Sequence, residues 1–320
     1  MEAKTLQQAI HYFSDEQVCI DTVAALRWPN GVECPACGHK DHYYLKTQKR
    51  WKCKECYKQF TVKLGTIFED SPIPLTKWLP ALWLLVNCRN GISSYEIERD
   101  LGVSQKAGWF MLQRLRLALQ EKSFMKLGGP NGAHVEVDET FIGGKARNMH
   151  KARRNRMTTV GKYTAKTAVM GMFDRKSRKV QTHVLGQRVG KQMQQIVREN
   201  VLPGTWVMTD EFPGYRDIGD EYTHLVVNHL DRYVQGNVHT QGIENFWSLL
   251  KRSLGGTYVA VEPFHLFRYV DEQAFRFNNR KDANGRKLSD LERFNMALSR
   301  VAGKRLTFAE VTGKTGATPN

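Results

Sequence analysis

The sequence predicts an α/β protein of more than one unit, and three observations predict it. Two Cys-x-x-Cys pairs lie in a short segment without helical periodicity, a helix, glycine, helix pattern follows, and residues 133–260 then alternate between strand and helix patterns. With 320 residues the chain can hold two or three compact units, since domains run to roughly 100–200 residues. Its 48 Lys and Arg against 32 Asp and Glu leave a formal net charge of +16, which suits a polyanionic partner, nucleic acid first among them.

Residues 1–32 read as a helical N-terminal segment, with Leu6, Ile10, Phe13 and then Val18, Val23 and Leu26 at helical spacing. No basic flank with an apolar stretch and a cleavage site is visible there, so no secretory signal is expected. The longest apolar run, Trp78 to Val86, contains Pro80 and is far shorter than the roughly 20 residues of a membrane span. No membrane partner and a cytoplasmic location are therefore expected.

Residues 33–62 read as a metal-bound ribbon. Cys34 and Cys37 are separated from Cys53 and Cys56 by the spacing of a four-thiolate tetrahedral site, and in a reducing compartment such pairs favour metal over disulfides. The ion expected is a structural Zn²⁺, because four thiolates leave no open position for water. Tyr43, Tyr44, Lys46, Lys49, Arg50 and Trp51 fill the hairpin between the pairs. Cys19 and Cys88 stand alone and read as core or boundary residues.

Residues 75–125 read as a helix-turn-helix unit for DNA. Ser93 and Ser94 precede a helix stopped by Gly102, and Ser104 can cap a second helix from Gln105 to about Leu119. Trp109, Leu112, Leu115 and Leu119 would pack it, leaving Gln105, Lys106, Gln113 and Arg114 to reach base edges or phosphates. The stretch 126–132, rich in Gly with a Pro, reads as a linker. From Lys145 to Arg156 a basic loop carries six Lys and Arg and no acid, and Lys145, Arg153 and Arg154 are candidate phosphate contacts.

Within 133–260 the pattern gives strands at 134–142, 167–173, 179–185, 205–209 and 224–228, with helices at 190–200 and 241–254. Along the first strand Val135 and Val137 face one side while Glu136 and Asp138 face the other, which sets Glu139 opposite Asp138. A carboxylate in mid-strand is costly unless a cation meets it. Asp210 ends a second strand and Glu244 opens the last helix of this region. Acids converging from separate rigid elements supply the hard oxygen ligands of two-metal phosphoryl transfer. Glu136, Glu139 and Glu211 are the alternatives. No P-loop pattern is present. Residues 261–320 read as a mostly helical C-terminal segment.

These stretches together resemble the bacterial insertion-sequence transposases of the DDE type, in the branch with an N-terminal zinc ribbon and a Lys after the final Glu. CPACG with CKEC, GISSYEIERDLGVSQKAGWFMLQRLR, VDETFIGG, TDEFPGY and VHTQGIENFWSLLKR carry the resemblance in that order. It implies a ribonuclease-H-like catalytic domain, a mixed sheet flanked by helices, in which Asp138, Asp210 and Glu244 bind Mg²⁺ or Mn²⁺. It also implies that Lys251 meets the DNA backbone two turns after Glu244 and that His239 touches a phosphate or the leaving oxygen. The partner implied is double-stranded DNA, both the element's terminal inverted repeats and a target, met as a homo-oligomer on the bacterial nucleoid. A transposase-derived DNA-binding regulator and a nuclease without strand transfer are the alternatives.

Overall fold

The computed structural model describes residues 3–120, 125–130, 132–143, 166–185, 190–227 and 238–314. The chain forms two units, Met1–Gln120 with Gly285–Asn320, and Glu121–Asn284.

In the first unit, α1 (Leu6–Tyr12) begins with a capping box between Thr5 and Gln8, and α2 (Glu16–Arg27) is capped by Asp15. The ribbon is an antiparallel sheet of β1 (His42–Leu45), β2 (Arg50–Cys53) and β3 (Gln59–Phe60) in that order. Its aromatic residues form the small core: Trp51 is buried, stacks on Phe60 and meets Trp28 edge-on. Next, α3 (Leu75–Asn87) is apolar over nearly its whole length and is buried accordingly. A capping box between Ser93 and Glu96 starts α4 (Ser94–Leu101), Gly102 stops it in the left-handed conformation at φ 60°, and Ser104 caps α5 (Gln105–Leu119). The helix Asp290–Leu298 returns from far along the chain to pack on α3, with Phe294 against Trp83 and Phe13.

The second unit is built on a five-stranded mixed sheet of β4 (His134–Ile142), β5 (Thr167–Asp174), β6 (Lys179–Leu185), β7 (Trp206–Thr209) and β8 (Thr223–Val226). The order across it is β6-β5-β4-β7-β8, with the first three antiparallel and β4, β7 and β8 parallel. Helix α6 (Gly190–Asn200) belongs to one face, where Val135, Val137, Met170, Met172, Met193, Val197, Val207 and Tyr215 are buried together. Helices α7 (Gln241–Ser253) and α8 (Leu266–Asn278) cover the other face, burying Val169, Phe173, Ile243, Phe246, Trp247 and Leu250. The β5 side chains alternate between the two cores, as a strand buried on both faces requires.

The stretch 126–132 is more than a linker. Leu127 donates its N–H to Asn200 at 2.7 Å, accepts from Leu202 at 2.9 Å, and is buried in the α6 core. Gly128, at φ +76°, lies where a Cβ would stand 2.5 Å from the Thr205 side chain, so glycine is required by close approach and not by flexibility.

Helix α7 also rests on a glycine. A Cβ on Gly171 of β5 would lie 2.6 Å from the Trp247 ring and 2.7 Å from Ile243. Gly171→Ala should therefore force α7 outward and lower stability by about 1–3 kcal/mol, the ordinary cost of overpacking. Denaturant unfolding of the two proteins checks this, and an unchanged midpoint would mean that α7 has slack here.

Candidate active site and metal centres

The four ribbon cysteines converge. The Sγ atoms of Cys34 and Cys56 are 3.6 Å apart, those of Cys37 and Cys53 also 3.6 Å, and all four lie within 4.8 Å of one another. A Zn²⁺ with bonds of about 2.3 Å has tetrahedral edges of about 3.8 Å, so the set could hold one with little movement. Each pair sits on a knuckle that ends in a left-handed residue, Gly38 at φ 74° after Cys37 and Tyr57 at φ 56° after Cys56. In the first knuckle Gly38 donates to the Cys34 carbonyl at 2.8 Å. Burial pushes the Cys34 thiol up, but the N–H groups of Ala36 and Cys37, together with the neighbouring Cys56 and Cys37 sulfurs, bring it down to about 7. Cys37 has the His39 N–H in its favour, yet burial and the neighbouring sulfurs push it up to about 12. Closely placed thiols that cannot all ionise are what a bound cation relieves.

The second candidate centre arises from the unequal lengths of β4 and β7. Their parallel pairing ends at Glu136 opposite Met208, and β7 ends at Thr209, so β4 runs on without that neighbour. Asp138 and Glu139 stand on this overhang and Asp210 directly follows β7. One oxygen from each of the three lies within 4.8 Å of the others, a hard donor set that fits Mg²⁺ or Mn²⁺. Strand alternation does send Asp138 and Glu139 to opposite faces. Asp138 accepts from Trp247 Nε1 on the α7 side at 3.0 Å, and Glu139 accepts from the Tyr215 hydroxyl on the α6 side at 2.6 Å. Beyond the end of the β4–β7 pairing both carboxylates still bring an oxygen close to Asp210, despite standing on opposite faces of the strand. Asp210 accepts from the Phe212 N–H at 3.1 Å.

Burial pushes the Asp138 carboxyl up to about 7, and the charges of Glu139 and Asp210 add to the shift. Burial likewise holds the Tyr215 phenol well above its ordinary range, with the Glu139 charge reinforcing it.

Glu244 stands on the exposed side of the first turn of α7, outside the group of three, with its carboxylate accepting from Thr240 Oγ1 at 2.8 Å. Lys251 is exposed in the last turn of the same helix. His239 precedes α7, and its Nδ1 lies 2.8 Å from an Arg175 nitrogen; burial, and then the Arg175 charge, lower its pKa. Glu136 is fully buried and committed to Arg175 and to the N–H of Ile243, which removes it as a metal ligand. Glu211 is exposed.

The expected DNA contacts of α5 need revision. Gln113 is fully buried, and Arg114 is buried with its guanidinium donating to the carbonyls of Ile67, Glu69 and Leu306. Arg114 thus ties α5 into the first unit. Helical spacing could not reveal this, because the segments that cover that face are distant in sequence. Gln105 and Lys106 stand in the first turn of α5; Gln105 bonds Ser94 Oγ at 2.9 Å, and exposed Lys106 lies over the Phe308 ring. Lys145, Arg153 and Arg154 lie outside the described residues. Among the described residues no helix is long and apolar enough to cross a membrane.

Comparison with known proteins matches residues 126–278 to the ISXO2-like transposase domain and residues 14–59 to a transposase zinc-ribbon domain. An uncharacterized protein in the transposable element ISH50 of Halobacterium salinarum is 30% identical over 259 residues, covering 77% of this chain and 85% of that protein. An uncharacterized transposase-like protein of Haemophilus influenzae is 36% identical over 86 residues, 26% of this chain and 68% of that one. A chain of the simian T-cell lymphotropic virus intasome in complex with PP2A regulatory subunit B56 gamma aligns with a TM-score of 0.27 and 12% identity, over 56% of this chain and 60% of that chain. That score is too low to bear on the fold.

A carboxyl raised to about 7 must lose its proton before it binds a cation. The apparent Mn²⁺ affinity should therefore weaken by up to about tenfold for each pH unit below 7 and level off above it, with proton release on binding in the acid range. Calorimetric titrations in buffers of different ionisation enthalpy check this. Asp138→Asn should flatten the profile, and a wild-type affinity indifferent to pH would remove Asp138 from the site.

Proposed function

The chain belongs to the ISXO2-like transposase family, and we propose that it cleaves an insertion sequence from its flanking DNA and joins the freed ends to a target. It is a metal-dependent enzyme of the transposase and nuclease type. The observation that carries the proposal is the gathering of Asp138 and Glu139 on the β4 overhang with Asp210 at the end of β7.

In this reading Asp138, Asp210 and Glu244 hold the divalent ions. When bound, Mg²⁺ or Mn²⁺ supplies an activated hydroxyl nucleophile and neutralises charge on the scissile phosphate. The side chains of the protein do the rest. Asp138 and Asp210 would supply negative charge from the sheet once ionised, and Glu244 would join them from α7. Lys251 and His239 would meet the DNA backbone. Water first attacks the phosphodiester at the element's end, breaking the bond to the 3′ oxygen. The released 3′-hydroxyl then attacks a target phosphodiester, so the second step exchanges one ester for another and needs no ATP.

The sheet order β6-β5-β4-β7-β8, three antiparallel strands followed by two parallel ones, supports a ribonuclease-H-like reading of the catalytic domain at 133–260. Zn²⁺ at Cys34, Cys37, Cys53 and Cys56 would hold the ribbon at 33–62. With the helix-turn-helix at 75–125 it would engage double-stranded DNA at the terminal inverted repeats. The accessible first turn of α5, with Gln105 and Lys106, is where base contact would begin. Basic Lys145, Arg153 and Arg154 would track phosphates. The segment 1–32 belongs with the ribbon, 261–320 is shared between the two units, and the active form would be a homo-oligomer on DNA in the cytoplasm.

Duplexes carrying the terminal repeats test the proposal. Asp138→Asn, Asp210→Asn and Glu244→Gln should each bind the ends normally yet cleave at least about a hundredfold more slowly, because each loses charge needed only in the reaction. If Glu139→Gln abolishes cleavage while Glu244→Gln does not, the third acid is Glu139. Cleavage without joining by the wild type would make the protein a nuclease. Purified protein should carry about one Zn²⁺ per chain, and Cys53→Ser should lose it, as metal analysis would show.

A further inference from the structure

We propose that Glu136 and Arg175 form a buried anchor that seats the first turn of α7 on the sheet and so sets the position of Glu244. The inference rests on the reading of Glu244 as a metal ligand.

Glu136 is fully buried in mid-strand, two residues before Asp138 and on the same face. A buried charge is tolerated only with good partners. Glu136 Oε1 accepts from Arg175 Nε at 2.6 Å, and Oε2 accepts from the N–H of Ile243 at 2.9 Å. That N–H lies in the first turn of α7, whose own N-cap residue, Thr240, makes no side-chain cap bond. The helix is thus capped from the neighbouring sheet, by a carboxylate at its positive end. Arg175 extends the anchor backward, donating to the His239 carbonyl at 2.7 Å.

The fit is close enough to define a position. A Cβ on Gly242 would lie 2.9 Å from Glu136 Oε2 and 2.3 Å from the Phe173 ring. Glu244 is two residues further on. Ile243, Phe246, Trp247 and Leu250 already bury the apolar face of α7, so an ion pair is not needed merely to hold the helix down. An apolar pair in its place would serve stability as well; what the charged pair adds is a single register. Glu136 and Arg175 are in this sense positioning residues, acting through Glu244.

The test is direct Mn²⁺ binding by the full-length chain, read from the electron paramagnetic resonance of the free ion. Gly242→Ala keeps every charge but displaces the helix, and Arg175→Lys keeps the charge but cannot span Glu136 and the His239 carbonyl. Each should weaken Mn²⁺ binding by about tenfold, the usual effect of losing support behind a ligand, while thermal unfolding without metal stays cooperative. In a Glu244→Gln background the same changes should add less than about twofold, because the anchor then has nothing to place. The proposal is overturned if the variants that fold bind as the wild type does, or if their effect is as large without Glu244 as with it. Wild-type protein whose Mn²⁺ binding is insensitive to Asp138→Asn would instead remove the metal site itself, and the anchor's role with it.

Discussion

Three acidic side chains within 4.8 Å of one another repel, and much of the second unit is arranged to hold them there. Each takes a neutral donor: Trp247 Nε1 for Asp138, the Tyr215 hydroxyl for Glu139, and a backbone N–H for Asp210. A neutral donor orients a carboxylate without itself cancelling the charge. The guanidinium of Arg175, which would have cancelled it, is turned to Glu136 two residues away. Separating the compensated acid from the crowded ones lets one strand carry both a structural charge and a reactive one.

The ribbon solves a related problem with softer atoms. Its sulfurs are brought together by two knuckles of the same form, and the residue after each second cysteine adopts positive φ. Glycine meets this requirement freely at position 38, whereas Tyr57 accepts some strain and remains exposed. Behind the cysteine loops, Trp51 with Phe60 and Trp28 supplies the little apolar burial that so short a sheet can have.

Much of this was legible in the sequence where the signal is local. Cysteine spacing marked which four thiols converge, alternation along 134–142 marked which side chains share a face, and Gly102 with Ser104 marked the turn between α4 and α5. What escaped depends on contacts distant in sequence. Arg114 reads as exposed because nothing near it shows that the carbonyls of residues 67, 69 and 306 meet its guanidinium. Leu127 read as linker because its partners are at 200–202. The place of Glu139 in the acidic group followed from the shortness of β7, a property of the pairing and not of either strand alone.

The first unit is discontinuous: residues 285–320 complete a core begun by residues 1–120, with Phe294 against Trp83 and Arg114 bonded to Leu306. A chain leaving the ribosome exposes its N-terminus first, and domains generally fold as they emerge. Here the uninterrupted unit at 121–284 is ready to fold during synthesis, while α3 and α5 wait with apolar surface uncovered until the last segment arrives. The core around α3 and α5 therefore closes only after the segment carrying Phe294 and Leu306 has been made, whereas the aromatic core of the ribbon lies within residues 28–60.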